Sequence, residues 1–264
     1  MIVAQALRLL EAREARLLLA QATGFSEASV LAHPERELAP EAEARFVEFA
    51  ARRSRGEPIA YILGEKEFYG LPLAVNAAVL IPRPETELLV ELALACAPTS
   101  ALDLGTGSGA IALILKRQLP RTHVVAVEAS AAALAVAQRN AVKLGLEVEF
   151  LHGRWFQPVG NARFALIVSN PPYVAEGDPH LAEGDLRFEP RAALVGGPDG
   201  LDAIREIIGG APAHLAPGGR LLLEHGLGQD AAVRALLMEA GLEGVTTWPD
   251  LAGIARVTGG RLKC

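Results

Sequence analysis

The chain has 264 residues, of which 51% are hydrophobic, so it can bury one full core and a smaller one, which excludes a disordered protein. Its formal net charge of -6 excludes a global basic field that would attract a nucleic-acid backbone. Its two cysteines, Cys96 and Cys264, offer neither a disulfide framework nor metal-ligand spacing. We therefore expect no bound metal and a location in the reducing cytoplasm.

The first 61 residues are predicted to form a small helical domain. Short stretches rich in Ala, Leu, Glu and Arg are broken at Thr23-Gly24, at His33-Pro34 and near Gly56. The spacing of leucines and charges over residues 1–20 predicts one amphipathic helix and not a signal peptide. No apolar run is long enough to span a bilayer, so no membrane partner is expected.

Residues 62–81 are predicted to form a β-hairpin linker. Three runs rich in aromatic and aliphatic residues, 68–70, 73–75 and 79–81, are separated by turn residues. Residues 82–264 then form the third predicted part. It opens with a helix that has Pro84 near its first turn, where a proline is tolerated.

Strands and helices alternate after that opening helix. The predicted strands are 101–104, 123–127, 148–151, 164–169 and 221–224, and helices end at Leu119 and Leu144 or lie near Ile204. Such alternation predicts an α/β fold with a Rossmann-like parallel sheet and helices on both faces. Two final strands, 245–248 and 254–257, are predicted, one of them antiparallel at the edge of the sheet.

A glycine-rich turn follows the first strand of the predicted sheet and runs directly into a helix. It consists of Gly105, Thr106, Gly107, Ser108 and Gly109. Glycines at this place permit a tight turn and close approach of the backbone to a ligand. The next strand ends at Glu128, at roughly the 20-residue interval where nucleotide-binding folds place a carboxylate on ribose. A plain tight turn and a solvated strand end would look the same, and both NAD and S-adenosylmethionine fit.

Asn170-Pro171-Pro172-Tyr173 ends the strand predicted over 164–169. The two prolines donate no backbone hydrogen bond and keep the preceding carbonyls out of helices and ladders. The carbonyl and side-chain oxygens of Asn170, the carbonyl of Pro171 and the ring of Tyr173 would suit a planar group that carries NH2. Asn-Pro is also an ordinary turn signal.

The Asn-Pro-Pro-Tyr motif favours S-adenosylmethionine over NAD, because it would hold an amine against a methyl sulfonium and offers no hydride-acceptor site. Trp155, in the loop after the third strand, could stack on adenine or cap the edge of the sheet.

Five stretches together resemble the glutamine N5-methyltransferases of peptide chain release factors. They are Ile81-Pro-Arg-Pro-Glu-Thr86, Asp103-Leu-Gly-Thr-Gly-Ser-Gly109, Ser169-Asn-Pro-Pro-Tyr173, Arg187-Phe-Glu-Pro190 and Leu222-Leu-Glu-His-Gly226. The resemblance covers most of the chain, including the helical domain and the hairpin. It implies methyl transfer from S-adenosylmethionine, with S-adenosylhomocysteine as product, to the glutamine of a Gly-Gly-Gln motif in class I release factors.

The resemblance also implies roles for individual residues. The cofactor would contact the glycine-rich turn, Glu128, Trp155 and Asn170. Asn170, Pro171, Pro172 and Tyr173 would bind the substrate glutamine, and Asn170, Pro171 and Tyr173 would be the catalytic residues. Two positions depart from the family pattern: Glu128 stands where Asp is common, and Arg154 stands where Asp often precedes the aromatic residue. An arginine cannot accept a hydrogen bond from the adenine amino group, so that contact is in doubt.

Two other classes of function stay open at this point. A nucleic-acid amino methyltransferase would act on adenine N6, cytosine N4 or guanine N2, whose NH2 groups are also planar. It would need to flip a base and bind phosphates, and the chain has no basic stripe. A non-catalytic adapter is disfavoured by the complete turn and motif. We expect a monomer whose acidic helical domain recognises a protein. His180 and Glu189 are interpreted as structural residues rather than proton acceptors.

Overall fold

The computed structural model describes residues 1–264, and their contacts divide the chain into two compact units. The helical unit consists of Met1–Glu65 and Ala182–Phe188, and the sheet unit consists of Lys66–Leu181 and Glu189–Cys264. No sequence pattern indicated that residues 182–188 belong with the N-terminal helices. The division into domains at residues 61 and 81 stays a prediction. None of the helices combines the length and the hydropathy that a membrane-spanning helix requires.

The helical unit contains five helices: α1 Val3–Ala6, α2 Ala12–Thr23, α3 Glu27–Ala32, α4 Pro40–Ser54 and α5 Ile59–Leu63. The single helix predicted over residues 1–20 is wrong, because the chain breaks between α1 and α2. Glu11 causes the new start: its carboxylate accepts the N–H groups of Arg13 and Glu14 and caps α2. Gly24 ends α2 in a left-handed conformation, as the predicted break at Thr23-Gly24 requires.

Residues 182–188 are fixed inside the helical unit by charged groups. Arg53 pairs with Glu14 at 2.8 Å and with Asp185 at 3.1 Å. Arg187 donates a hydrogen bond of 2.8 Å to the carbonyl of Arg55. The end of α4 therefore provides most of the polar contacts of this returning segment.

A hairpin of β1 Glu65–Phe68 and β2 Leu71–Ala74 opens the sheet unit, although its first residue, Glu65, is counted with the helical unit. Tyr69 and Gly70 both have positive φ, of 50° and 76°, which is the geometry of a tight two-residue hairpin turn. The third run of the predicted linker, 79–81, is not a strand. It is an extended loop before the next helix, and the N–H of Ile81 donates to Glu189 at 3.0 Å.

The remaining elements alternate between helix and strand. They are α6 Thr86–Ala95, β3 Ser100–Leu104, α7 Ala110–Gln118, β4 His123–Glu128, α8 Ala131–Leu144, β5 Glu149–His152, β6 Phe164–Ser169, α9 Arg191–Leu194, α10 Asp202–His214, β7 Leu215–Glu224, α11 Asp230–Glu239, β8 Glu243–Pro249 and β9 Ala255–Arg261. Pro84 lies two residues before the first residue of α6, near its first turn.

Seven strands form one sheet in the order β5–β4–β3–β6–β7–β9–β8, and all neighbours from β5 to β7 are parallel. Alternate strand residues face two apolar clusters: Ala126 and Leu166 pack with α6 and α7, and Val127 and Ile167 pack with α10 and α11. Both faces of the sheet are therefore covered by helices, which confirms the predicted Rossmann-like α/β fold.

The antiparallel strand does not lie at the edge, contrary to the expectation. The hairpin of β8 and β9 inserts β9 between β7 and β8, so β8 is the edge strand. Strand β7 also begins earlier than predicted. Five residue steps of β7, from Leu215 to Arg220, lie opposite two steps of β6, from Phe164 to Leu166, which leaves three extra residues in β7. The strand absorbs them as a bulge.

Candidate active site

The predicted site residues converge at the carboxyl ends of three neighbouring strands. In register, Leu104 pairs with Val127 of β4 and with Ser169 of β6. The glycine-rich turn follows β3, Glu128 ends β4, and Asn170 follows β6. Parallel strands bring these three chain segments to the same edge, where an open α/β sheet binds its ligand.

The glycine-rich turn is fastened to β4 and to its own strand. The N–H groups of Gly105 and Thr106 both donate to the carbonyl of Val127, at 2.9 and 3.1 Å. The Thr106 hydroxyl donates to Asp103 Oδ2 at 2.6 Å, and both side chains are buried. Gly105 and Gly107 have φ of 73° and 58°, so the turn requires glycine at these two places.

Ser108 is positioned by a residue that sequence reasoning missed. Asn140 of α8 has no exposed surface, and its Nδ2 donates to the carbonyls of Ser108 and Ala74, at 2.9 and 3.0 Å. Its Oδ1 accepts the Ala74 N–H at 2.7 Å. One polar residue among several in α8 gave no signal of this role, but the amide connects β2 to the glycine-rich turn.

Glu128 lies against the glycine-rich turn. Its Oε2 accepts the N–H of Gly107 at 2.9 Å, and its Oε1 accepts the N–H of Ser130 at 2.8 Å. A carboxylate has about four acceptor positions, so two hydroxyl groups can still bind. The position fits the predicted contact with ribose, which stays a prediction.

We expect Glu128→Ala to weaken the binding of S-adenosylhomocysteine by roughly 1.5–3 kcal/mol, the scale of hydrogen bonds to a charged acceptor. The loss has two sources, because the variant removes the acceptor and frees the N–H of Gly107. Calorimetric titration would measure it, with Glu147→Ala, at an exposed glutamate of the same unit, as the control. Unchanged affinity would make Glu128 a support of the turn only.

The ring of Trp155 lies against the glycine-rich turn. A Cβ atom on Gly105 would lie 3.4 Å from Cζ3 of the indole, so the ring is in contact with that glycine. Trp155 itself has a φ of 46°, which is uncommon for a bulky residue. Its predicted stacking on adenine stays a prediction.

Arg154, the position that departs from the family pattern, has a carboxylate beside it. It forms an ion pair with Glu206 of α10, with Nε 3.1 Å from Oε1. Hydrogen bonding to Arg154 lowers the pKa of Glu206, so that carboxylate is ionised at neutral pH. An acceptor of the type that Arg154 cannot supply therefore lies next to it.

The Asn-Pro-Pro-Tyr segment leaves several acceptors unused. No backbone or side-chain donor of the protein reaches the carbonyl oxygens of Asn170 or Pro171, or Oδ1 of Asn170. Asn170 Nδ2 instead donates to Thr86 Oγ1 at 3.0 Å. The segment therefore presents free acceptors, with one of the two Nδ2 protons of Asn170 turned toward Thr86, as a site for an NH2 group requires.

The second half of the segment is fixed by close packing. Gln229 Nε2 donates to the carbonyl of Tyr173 at 3.0 Å. A Cβ atom on Gly196 would lie 2.4 Å from the carbonyl oxygen of Pro172, and one on Gly200 would lie 2.2 Å from that of Tyr173. Only glycine permits this approach of two backbone segments.

Glu189 and His180 are already committed to other groups. The buried carboxyl of Glu189 accepts the N–H of Ile81 at 3.0 Å and pairs with Arg83. The exposed His180 ring contacts Asp178 at 2.7 Å. Glu189 thus ties the loop after the Asn-Pro-Pro-Tyr segment to the chain before α6, which agrees with its interpretation as a structural residue.

Burial raises the pKa of Asp103 to about 7, with the Thr106 hydrogen bond opposing the rise, and Asp103 Oδ1 has no partner. The folded state then holds a proton that the unfolded state releases near pH 4. Stability therefore falls as the pH rises from about 4 to about 7.

We expect Asp103→Asn to stabilise the protein without ligand at pH 8 and to change its stability much less at pH 4. Urea unfolding at the two pH values measures this; an equal effect at both would refute it.

Two family models match the chain: the Methyltransferase small domain over residues 84–184 and the PrmC N-terminal domain over residues 4–64. A methyltransferase from Pyrococcus furiosus superposes with a TM-score of 0.60 at 19% identity, covering 81% of this chain and 98% of that chain. A Thermus thermophilus 16S rRNA N2 G1207 methyltransferase, solved with AdoMet and guanosine, superposes with a TM-score of 0.55 at 24% sequence identity. The superposition covers 75% of this chain and 50% of that chain. At these identities the likeness shows the fold alone.

The fold and the matched domain, together with the curated relatives, define an enzyme of the S-adenosylmethionine-dependent methyltransferase class. The release factor glutamine methyltransferase of Burkholderia pseudomallei (strain K96243) is 52% identical over 264 aligned residues, which cover 96% of this chain and 93% of that protein. The chain belongs to the release factor glutamine methyltransferase family, which confirms the resemblance based on its motifs.

Proposed function

We propose that this enzyme transfers the methyl group of S-adenosylmethionine to the side-chain amide nitrogen of the glutamine in the Gly-Gly-Gln motif of class I peptide chain release factors. The nitrogen gains the methyl group and loses one proton, and S-adenosylhomocysteine is released. The observation that carries the proposal is the set of unused acceptor oxygens at Asn170 and Pro171, which match the two N–H bonds of a primary amide.

The amide nitrogen is a weak nucleophile because its lone pair is shared with the carbonyl. A site gains most by fixing the geometry of such a group and by stabilising developing positive charge. Asn170 Oδ1 and the Pro171 carbonyl accept the two amide protons and orient the nitrogen. The ring of Tyr173 packs beside the amide. The proton is lost after methyl transfer, and no residue is assigned as a general base.

The cofactor residues are the glycine-rich turn, Glu128 and Trp155, with Glu206 as a further acceptor in place of the acid missing at position 154. S-adenosylmethionine supplies an electrophilic methyl group on a positively charged sulfur. The exposed backbone at Gly105 permits close approach, and Glu128 provides acceptors for hydroxyl groups.

The rival proposal is methylation of a nucleic-acid base. The fold does not separate the two, because the rRNA methyltransferase of Thermus thermophilus shares it. The net charge of -6 favours a protein substrate, and so does the 52% identity with a release factor glutamine methyltransferase.

The deciding experiment is mass spectrometry of an intact release factor after incubation with this enzyme and isotopically labelled S-adenosylmethionine. We expect one labelled methyl group on the glutamine of the Gly-Gly-Gln motif. A release factor with that glutamine changed to alanine is the control. Labelling of ribosomal RNA or DNA in parallel reactions, without labelling of the release factor, would favour the rival.

We further propose that the helical unit binds the release factor in the cytoplasm. It exposes three large apolar side chains, Leu9, Leu31 and Val47, whose exposed fractions are 52%, 56% and 45%. Each of these side chains offers apolar area whose burial against a protein partner would be favourable.

We expect at least one of the single variants Leu9→Glu, Leu31→Glu and Val47→Glu to raise KM for the intact release factor about tenfold, the effect of about 1.4 kcal/mol of lost contact. KM for a short peptide that contains Gly-Gly-Gln should not change. Val142→Glu, at an 84% exposed residue of the sheet unit, is the matched control. Unchanged KM in all three variants would contradict recognition through these side chains.

A further inference from the structure

Two buried polar side chains lie behind the Asn-Pro-Pro-Tyr segment and have no role assigned so far. Thr86 is the first residue of α6 and is 4% exposed, and Glu224 is the last residue of β7 and is 1% exposed. Thr86 contacts Asn170 at 3.0 Å, and the Tyr173 hydroxyl lies 3.3 Å from Glu224 Oε1. Strands β6 and β7 are parallel neighbours, with Ser169 opposite Leu223, so Asn170 and Glu224 end adjacent strands.

We propose that Glu224 and Thr86 are positioning residues that set which face of the Asn170 amide points toward the substrate. This inference rests on the proposed function, in which Asn170 Oδ1 accepts a proton of the substrate amide. The proposed chain of interactions runs from Asn170 Nδ2, which donates to Thr86 Oγ1 at 3.0 Å, to the Thr86 hydroxyl and on to Glu224, whose pKa that hydroxyl lowers.

The direction of this chain follows from the number of protons. Above about pH 7, where the Glu224 carboxyl is ionised, it can only accept hydrogen bonds, and a hydroxyl has one proton to donate. Glu224 interacts with the hydroxyls of both Thr86 and Tyr173. Once the Thr86 proton points to Glu224, Thr86 Oγ1 can only accept from Asn170. The amide must then turn Nδ2 toward Thr86, and Oδ1 is left on the other side.

The same carboxylate fixes Tyr173. Burial, followed by the charge of Glu224, raises the pKa of Tyr173, so the phenol keeps its proton and remains a donor. Burial also raises the pKa of Glu224 to about 7, while hydrogen bonds from Thr86 and Tyr173 and the charge of Arg256 oppose the rise, and Glu85 adds to it. One buried acid thus orients both side chains that the proposed function places on the substrate.

A buried carboxyl group without this use would be a poor choice for stability. Glu224 Oε2 is buried with no donor in hydrogen-bonding geometry, and such an atom costs free energy compared with an apolar side chain. Its retention at the edge of the site is explained by the two hydroxyl groups that it orders.

Thr86→Val tests the proposal, because it keeps the shape of the side chain and removes the hydroxyl. We expect kcat to fall about tenfold or more, since a small misplacement of a positioned group costs up to about 100-fold. The affinity for S-adenosylhomocysteine should stay unchanged. Thr86→Ser restores the hydroxyl and should restore kcat. Glu224→Gln replaces one acceptor oxygen with an NH2 group, a donor that can turn the Thr86 hydroxyl away, so kcat should fall there as well.

The control is Thr122→Val, which removes another buried hydroxyl, 4% exposed and bonded to the Pro98 carbonyl at 2.7 Å. It should lower stability like Thr86→Val and leave kcat unchanged. If the folded Thr86→Val enzyme keeps the kcat of Thr122→Val, the proposal is overturned.

A second measurement needs no catalysis. In nitrogen-edited NMR spectra of the full-length protein, the side-chain amide of Asn170 is identified by its absence from the Asn170→Ala spectrum. Its hydrogen-bonded proton should shift strongly in Thr86→Val and not in Thr122→Val. No shift would overturn the relay even if the enzyme methylates glutamine. A shift in an enzyme that methylates no glutamine would support the relay and refute the proposed function.

Discussion

Asn170→Ala is expected to lower kcat for methylation of a release factor by about 10²–10³-fold, the effect of removing one orienting group from a preorganised site. The variant removes Oδ1, an acceptor that no group of the protein uses, and leaves Thr86 without its donor. Binding of S-adenosylhomocysteine should fall only slightly, because interactions made mainly in the transition state affect kcat more than ground-state affinity.

Turnover and calorimetric titration of the same preparation decide this prediction. Asn161→Ala, at an exposed asparagine of the sheet unit, should behave as wild type in both measurements. Near-normal turnover of Asn170→Ala would remove Asn170 from the catalytic residues. A loss of cofactor affinity that accounts for the whole effect would make it a cofactor-binding residue only.

Gly196→Ala is expected to disrupt the substrate site although it replaces none of the residues proposed to be catalytic. Its Cβ would lie 2.4 Å from the Pro172 carbonyl oxygen and 2.6 Å from that of Gly200. One of the two backbone segments must move. We expect a loss of about 1–3 kcal/mol of stability from the overpacking and a fall in kcat of about 100-fold from displacement of the acceptors.

Gly177→Ala is the matched control, because a Cβ at Gly177 meets no atom within 4 Å and its φ is not in the left-handed region. Urea unfolding separates the loss of stability from the loss of turnover under conditions where both variants are folded. Full turnover of folded Gly196→Ala would show that Pro172 can move without disturbing the acceptors at Asn170 and Pro171.

The parts of the site that are local in the chain could be predicted from sequence. Strand β6 has the predicted bounds, 164 to 169, because a continuous apolar run ends there at Asn-Pro-Pro. The glycine-rich turn lies between an apolar strand and a helix, so its place at the sheet edge followed from the fold. Glu128 was placed for the same reason.

The supporting residues could not be predicted, because their partners are distant in sequence. Thr86 and Asn170 are 84 residues apart, and Asn140 and Ala74 are 66 residues apart. Periodicity reports which face of an element is apolar, and it carries no information on which remote polar group a buried side chain meets. The stretch Leu222–Gly226 was noted as a family motif, but Glu224 received no role until its neighbours were visible.

The start of β7 at Leu215 could not be predicted for a different reason. Proline followed by two glycines, at 217–219, is a strong turn signal, whereas the predicted strand covers only 221–224. Pairing with β6 on both sides of these residues overrides the local preference.

The return of residues 182–188 to the helical unit has a consequence for the order of folding during synthesis. A ribosome releases the N-terminal helices first, but Asp185 and Arg187 emerge only after β6 and Asn170. Until then, Arg53 has Glu14 and no Asp185, and the carbonyl of Arg55 lacks its guanidinium donor. The nascent helices are therefore completed by a segment that is translated after the residues proposed to hold the substrate glutamine.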